Sequence, residues 1–278
     1  MADLSCLSEF PGMPKYKTLY CLCTAAVLLF LLSCSKDQKT NQQFIVATYS
    51  QVSVTNAAVG IGSLNFYVDN QQIQLSDSLS FGTTSFFNLL NNANPSGPLS
   101  GITPYVSITY GYRVLGFSAS SVNNILASFK DYFEPGVYYS VFVADTLEYG
   151  QLQCVVLRDN LVQLDSGKAQ IRFVNLSPDA PSMDLWAFPD AQSSAGYKLF
   201  SNRPFPVYDY NAVLGSQNFT TINSGPYYFA ATQSGTFNRL LQGGLIIPNK
   251  SVVTIYSKGL LAGKGDQALD VGVIEYTH

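Results

Sequence analysis

"IRFVNLSPDAPSMDLW" runs from Ile171 to Trp186. It begins as an alternating β-strand, stops at Ser177-Pro178-Asp179-Ala180-Pro181, and resumes as a second strand. Pro178 and Pro181 cannot donate to a ladder, and each restricts the residue before it. Asp179 can bond nearby backbone within a turn. The segment therefore reads as a corner that carries the chain to another strand position.

The same frame occurs earlier. "VSVTNAAVGIGSLNFYVDN" (Val52 to Asn70) also has an alternating strand ending in Asn, a short break, and a second strand with an aromatic partway along. Here Gly60 and Gly62 make the corner by flexibility. The match continues downstream. Gly111 and Gly225 each open a strand, and thirteen residues on come Asn124 and Asn238. Pro135 or Pro248 marks the next turn, then "YYSVFV" from Tyr138 matches "VVTIYS" from Val252. Order and spacing recur together, which is the signature of an internal repeat. We expect two tandem domains, residues 45–163 and 167–278, joined near "LDSGK".

Short apolar or alternating runs broken by Gly, Pro, Asn and Ser fill both halves, as strands with turn punctuation do. The fold class expected is all-β: two tandem Ig-like antiparallel β-sandwich domains after a lipoprotein signal peptide. Two segments, "SVNNILASFKDYF" (Ser121 to Phe133) and "TFNRLLQGG" (Thr236 to Gly244), are where one or two helical turns are expected.

The N-terminus reads differently. Lys15 and Lys17 precede an uncharged run from Leu19 to Ser33, too short for the roughly 20 residues of a spanning helix and suited to a signal-peptide core. It ends in Leu31-Leu32-Ser33-Cys34, which resembles the bacterial lipobox. That resemblance implies a signal peptide over 1–33, with Met13 as the alternative start, and a lipidated Cys34 with a tether over 34–44. Several acyl chains hold a soluble domain on a membrane where one would not. Ser35 in place of Asp resembles the sorting pattern that sends lipoproteins to the outer membrane, facing the periplasm or the cell surface. Of five cysteines, only Cys154 lies beyond Cys34, so no disulfide can form within the mature chain. It sits in an alternating strand and reads as a structural thiol.

The stretch from Ile171 to Trp186 resembles the start of the bacterial domain of unknown function 4397. There an alternating strand enters an Asn/His-x-Ser-Pro-Asp-Ala-Pro turn and leaves by a second strand. Ser177, Pro178, Asp179, Ala180, Pro181 and Asp184 carry the likeness. The first repeat keeps only the strand–Asn–loop–strand frame. The resemblance implies β-sandwich domains in secreted or lipid-anchored envelope proteins, and no activity.

The composition narrows the chemistry. The only histidine is His278, which removes Ser-His-Asp and Cys-His catalysis in their usual forms and zinc sites needing two histidines. No catalytic residue, cofactor or metal site is expected. Asp179, Asp184 and Asp190 lie close in sequence, but their spacing fits no EF-hand, and turn-forming roles are the plainer reading. Net charge is −3 with no basic cluster, so no nucleic-acid partner is expected. Asp77-Ser78-Leu79 and Asp145-Thr146-Leu147 resemble acceptors of bacterial envelope O-glycosylation, or are ordinary turns. Tyr138, Tyr139, Trp186, Tyr227 and Tyr228 are candidate ligand-contact aromatics, since ring faces stack on sugars and Tyr hydroxyls bond them. Strand and core packing accounts for many such rings equally well.

The expected function is a non-enzymatic, lipid-anchored envelope protein used for binding or adhesion, with a glycan as the candidate ligand. The alternatives are a structural subunit of an envelope protein assembly and, more remotely, a two-carboxylate glycan hydrolase.

Overall fold

Val52 and Val54 face one way along their strand and Ser53 and Thr55 the other, yet all four are buried. A strand covered on both faces must lie inside a stack of sheets. The computed structural model describes residues 48–75, 77–84, 87–88, 102–122, 124–144, 152–206 and 210–277. The signal peptide, Cys34 and its tether, and Asp145-Thr146-Leu147 lie outside these. Residues Val46–His278 form one compact unit.

That unit contains two sandwiches of the same plan. In the first, β1 (Tyr49–Asn56), β6 (Val106–Thr109), β9 (Tyr138–Ala144) and β10 (Gln153–Asp159) form an inner sheet in the order β10-β9-β1-β6. Facing it are β2 (Leu64–Val68), β3 (Gln71–Ile73), β7 (Gly111–Ala119) and β8 (Ile125–Phe133), in the order β3-β2-β7-β8. In the second, β11 (Lys168–Asn175), β14 (Thr220–Asn223), β17 (Ser251–Lys258) and β18 (Asp270–Thr277) form the inner sheet β14-β11-β17-β18. The outer sheet, β13-β12-β15-β16, has β12 (Met183–Phe188), β13 (Tyr197–Arg203), β15 (Gly225–Gln233) and β16 (Arg239–Ile247). Strand for strand, the second order is the first. A short pair, β4 (Phe87–Asn88) and β5 (Ile102–Thr103), lies apart.

Each sandwich has its own apolar core. The first includes Val52, Phe66, Leu115, Phe117 and Val141; the second includes Ile171, Phe173, Leu185, Phe229 and Ile255. A third cluster joins the two inner sheets, where Phe142, Val155 and Leu157 meet Val174, Tyr256 and Ile274. Within it Arg172 pairs with Asp159 at 2.5 Å, both wholly buried. Its guanidinium also donates to Ser140 Oγ (2.6 Å) and Thr254 Oγ1 (2.9 Å). Asp159 further accepts from Tyr105 (2.7 Å), whose oxygen meets the Tyr276 hydroxyl at 2.6 Å. Burial pushes the pKa of both phenols well above the usual range, and the Asp159 charge adds to it, so both stay protonated.

Three sequence expectations need correcting. The segments read as helical turns are strands β8 and β16. Each carries a bulge, with Leu126 or Leu240 as the extra residue opposite the Phe117/Ser118 or Ala231/Thr232 step. The bulge breaks the period of two, leaving an apolar spacing that imitates a helix. Second, the sheets are not purely antiparallel: β1 pairs parallel with β9, and β11 with β17. A hairpin cannot join parallel strands, so the chain goes out through the facing sheet and returns. Third, a helix, α1 (Tyr210–Gln217), packs on β10 and β11 with no acidic residue in its first turn or basic one in its last. Lacking those end signals, it was invisible in the sequence.

Candidate functional site

The corner is held by the asparagine that ends each strand. Asn175 Nδ2 donates to the carbonyls of Pro181 and Arg203, both at 3.2 Å, while its Oδ1 accepts from the Ser177 N–H (3.2 Å) and the Ser257 hydroxyl (2.7 Å). Asn56 does the same for the first corner, bonding the carbonyls of Gly62 and Leu79 and the N–H of Ala58. Both side chains are fully buried, so each supplies the backbone partners that a broken ladder loses. Pro178, Ala180 and Pro181 shape the same turn.

The motif carboxylates serve backbone groups. Asp179 accepts from the N–H groups of Leu261 (2.7 Å) and Ala262 (3.1 Å), and from Ser177 Oγ (3.3 Å). Asp190 accepts from the N–H groups of Gln192 and Ser193. Asp184 is buried beneath Lys198 Nζ (2.6 Å), the Asn202 N–H (2.8 Å), Ser234 Oγ (2.8 Å) and the Gly235 N–H (3.3 Å). Burial alone would raise its pKa; the Lys198 ammonium and the other donors outweigh that and bring it to about 2. Among the described residues, no group of three or more His, Cys, Asp or Glu is placed to hold a metal.

The candidate aromatics fall in different places. Tyr139 belongs to the first core, edge-on to Phe133 at 5.0 Å, with its oxygen accepting from the Glu134 N–H. It is not available to a ligand, because the alternation of β9 turns it inward. Tyr138 is half-buried and meets Tyr105 edge-on at 5.0 Å, beside the contact between sandwiches. Tyr227 turns toward the second core, stacked on Phe229, and donates to the Asn223 carbonyl. Cys154 packs against the first core, and burial pushes its thiol well up.

Trp186 and Tyr228 are on the outer face of the outer sheet of the second sandwich. Alternation along β12 turns Leu185 and Ala187 into the core and Asp184, Trp186 and Phe188 outward. Trp186 is flanked in register by Lys198 on β13 and Ala230 on β15, and Phe188 by Tyr228. The Trp186 indole N–H donates to Thr232 Oγ1 (3.3 Å), and Lys198 Nζ stands 5.0 Å from the indole centre. Phe237, on the β15–β16 turn, is 86% exposed, with its ring 6.0 Å from that of Trp186. Arg239 covers Phe188 at 5.3 Å and donates to Gln242 Oε1. The result is a platform of two accessible rings, rimmed by ammonium, guanidinium and amide groups. Asp184 positions it, because its carboxylate ties Lys198 and the start of the Phe237 turn to β12. Phe237, Lys198 and Arg239 escaped the sequence reading. A bulky apolar residue in the polar turn "QSGTFN" was the available signal for Phe237.

No curated protein matches the chain. Among solved structures it is similar to family 41 carbohydrate-binding modules from streptococcal virulence factors, at 10% identity and a TM-score of 0.22, covering 80% of this chain and 96% of that one. It is similar to a family 26 module of the Eubacterium rectale amylase Amy13K, solved with maltoheptaose, at 8% identity and a TM-score of 0.22, covering 82% and 97%. The TIE protein of Bacillus anthracis matches at 11% identity and a TM-score of 0.21, covering 78% of this chain and 34% of that one. At such TM-scores the likenesses carry no argument about function. The family model described as "Domain of unknown function (DUF4397)" matches residues 50–186, from β1 through the corner to Trp186. Over those residues the chain matches the DUF4397 family.

Proposed function

We propose that the chain is a non-enzymatic, lipid-anchored binding or adhesion protein of the cell envelope, and that the Trp186–Phe237 platform is its glycan-contact surface. The observation that carries this reading is Phe237, left 86% exposed beside a second ring. A fully covered Phe side chain contributes about 1.5–3 kcal/mol, so a partner that covers it gains most of that on docking. Flat rings suit the C–H faces of sugars, and Lys198, Gln242 and Arg239 are placed to meet hydroxyls at the rim. A non-enzymatic role is supported by the commitment of Asp179, Asp184 and Asp190 to backbone N–H groups and by the lack of histidine before position 278. Lipid anchoring rests on Leu31-Leu32-Ser33-Cys34, and the outer membrane as its destination on Ser35.

Soluble Val46–His278 run through a panel of polysaccharide-containing gels should be retarded by at least one glycan. Phe237→Ala and Trp186→Ala should abolish the retardation while leaving the circular dichroism spectrum unchanged. Retardation that survives both changes would remove the platform from the site, and silence across the panel would turn the reading toward a protein partner. For the anchor, Cys34→Ser should move the protein out of the membrane fraction; a variant that stays there would rule out lipidation at Cys34.

A further inference from the structure

The two sandwiches pair their strands in the same register, so their cores can be compared position by position. Leu115 lies opposite Phe129 in the first, and Phe229 opposite Gly243 in the second. Phe117 lies opposite Ala127, and Ala231 opposite Leu241. In the first sandwich Phe117 stacks on Phe66 at 5.5 Å and meets Phe129 at 6.2 Å. In the second, the corresponding residues are Ala231, Leu185 and Gly243. Phe229 and Leu241, where the first has Leu115 and Ala127, restore part of the lost volume.

The remainder is empty. A cavity of about 70 Å³ lies against Phe173, Leu185, Phe229, Ala231 and Ile255. It opens between β16 and β18, the edge strands of the two sheets, past the exposed Val271 and Val273. A Cβ on Gly243 would meet nothing within 4 Å. The cavity lining is otherwise apolar: the side chain of Gln242, whose backbone borders the cavity, turns to the other face of β16, where it accepts from Arg239.

We propose that this cavity is a binding site for an apolar ring of phenyl size at the end of a larger molecule. The first sandwich shows which group fits, because there the Phe129 side chain fills the corresponding space. An apolar cavity of about 150 Å³ admits a whole benzene molecule. This smaller one is open at its mouth, so a ring enters edge-on and the polar remainder of the ligand stays outside. The walls offer dispersion contacts and almost no hydrogen bonds, which selects for an uncharged ring. The site lies on the opposite face of β12 from Trp186 and does not depend on the glycan reading.

The test is a titration of Val46–His278 with benzyl alcohol, followed by methyl NMR. Saturable shifts are expected at Leu185, Ile255, Val271 and Val273. Gly243→Phe rebuilds the filling of the first sandwich and should weaken binding at least tenfold, with a raised Tm. Gly243→Val, a smaller filling that suits a strand, should weaken it in the same direction, and carries the comparison if the Phe variant does not fold. Absence of saturable shifts in the wild-type protein, or unchanged affinity in the variants, would overturn the proposal.

Discussion

Asp184 accepts hydrogen bonds from two separate segments, β13 and the β15–β16 turn, and so links a buried charge to an exposed surface. Its folded pKa of about 2 lies below the unfolded carboxyl value near 3.9. A depressed value means that the ionised form stabilises the fold. That stability is present above about pH 4 and is lost as pH falls from about 4 to about 2, a change of order 2 kcal/mol. Asp184→Asn should therefore lower stability at neutral pH by about that amount. It should also flatten the acid limb of a urea-midpoint against pH curve between about pH 4 and pH 2. An unchanged limb would mean that another carboxylate governs acid unfolding. On the proposed glycan reading the same variant should weaken retardation, because the Phe237 turn loses its tether. The family motif then acts on a surface that it does not itself form.

At the scale of elements, strand existence was largely legible, because a two-residue period and Gly or Pro punctuation are local signals. The corner was legible for the same reason: Pro178 and Pro181 state in sequence what Asn175 completes in space. Bulges were not legible. Leu126 and Leu240 each insert one residue into an edge strand, and only the register with β7 or β15 reveals that the apolar spacing is a displaced alternation. Parallel pairing of β1 with β9 was hidden as well, since no short motif marks a strand whose partner lies on the far side of a sandwich. The candidate site was half legible. Trp186 could be picked out as the single tryptophan, but its neighbours Lys198 and Phe237 come from other strands and turns. Of Tyr138 and Tyr139, alternation turns one ring to the core and leaves the other for solvent, yet their strand is covered on both sides. A reading based on one sandwich at a time could not anticipate that.

For the whole molecule, the decisive feature is the face that the two inner sheets share. Arg172 and Asp159 are buried there with a partner on each guanidinium nitrogen and on both carboxylate oxygens. Removing one partner of such a pair costs about 3–5 kcal/mol, because the other charge is left without compensation, whereas replacing both with apolar groups costs much less. Asp159→Leu alone and Arg172→Met alone should each lower the urea midpoint of Val46–His278 sharply, and the double variant should recover most of the loss. Additive losses would show that the two charges are not coupled. The apolar cluster around Phe142 and Tyr256 also ties the sandwiches together, so the wild-type unit is expected to unfold in one transition.

The residues that meet at that face include pairs from equivalent places in the two halves. The tilted rings of Phe142 and Tyr256 lie 5.9 Å apart, and Ser140 and Thr254 bind the same guanidinium. This is the pattern of an isologous contact, the kind that joins identical subunits about a two-fold axis. A homodimer with that contact would be bound by its own symmetry: an arginine at position 172 would recur on the partner, setting two cations close to the axis. Covalent fusion lifts the constraint. The place equivalent to Arg172 on β1 holds the small, buried Ser53, and a single guanidinium serves both sides. Joining two copies in one chain thus lets the contact become asymmetric, with a charge pair that no symmetric assembly of a single sandwich could carry only once.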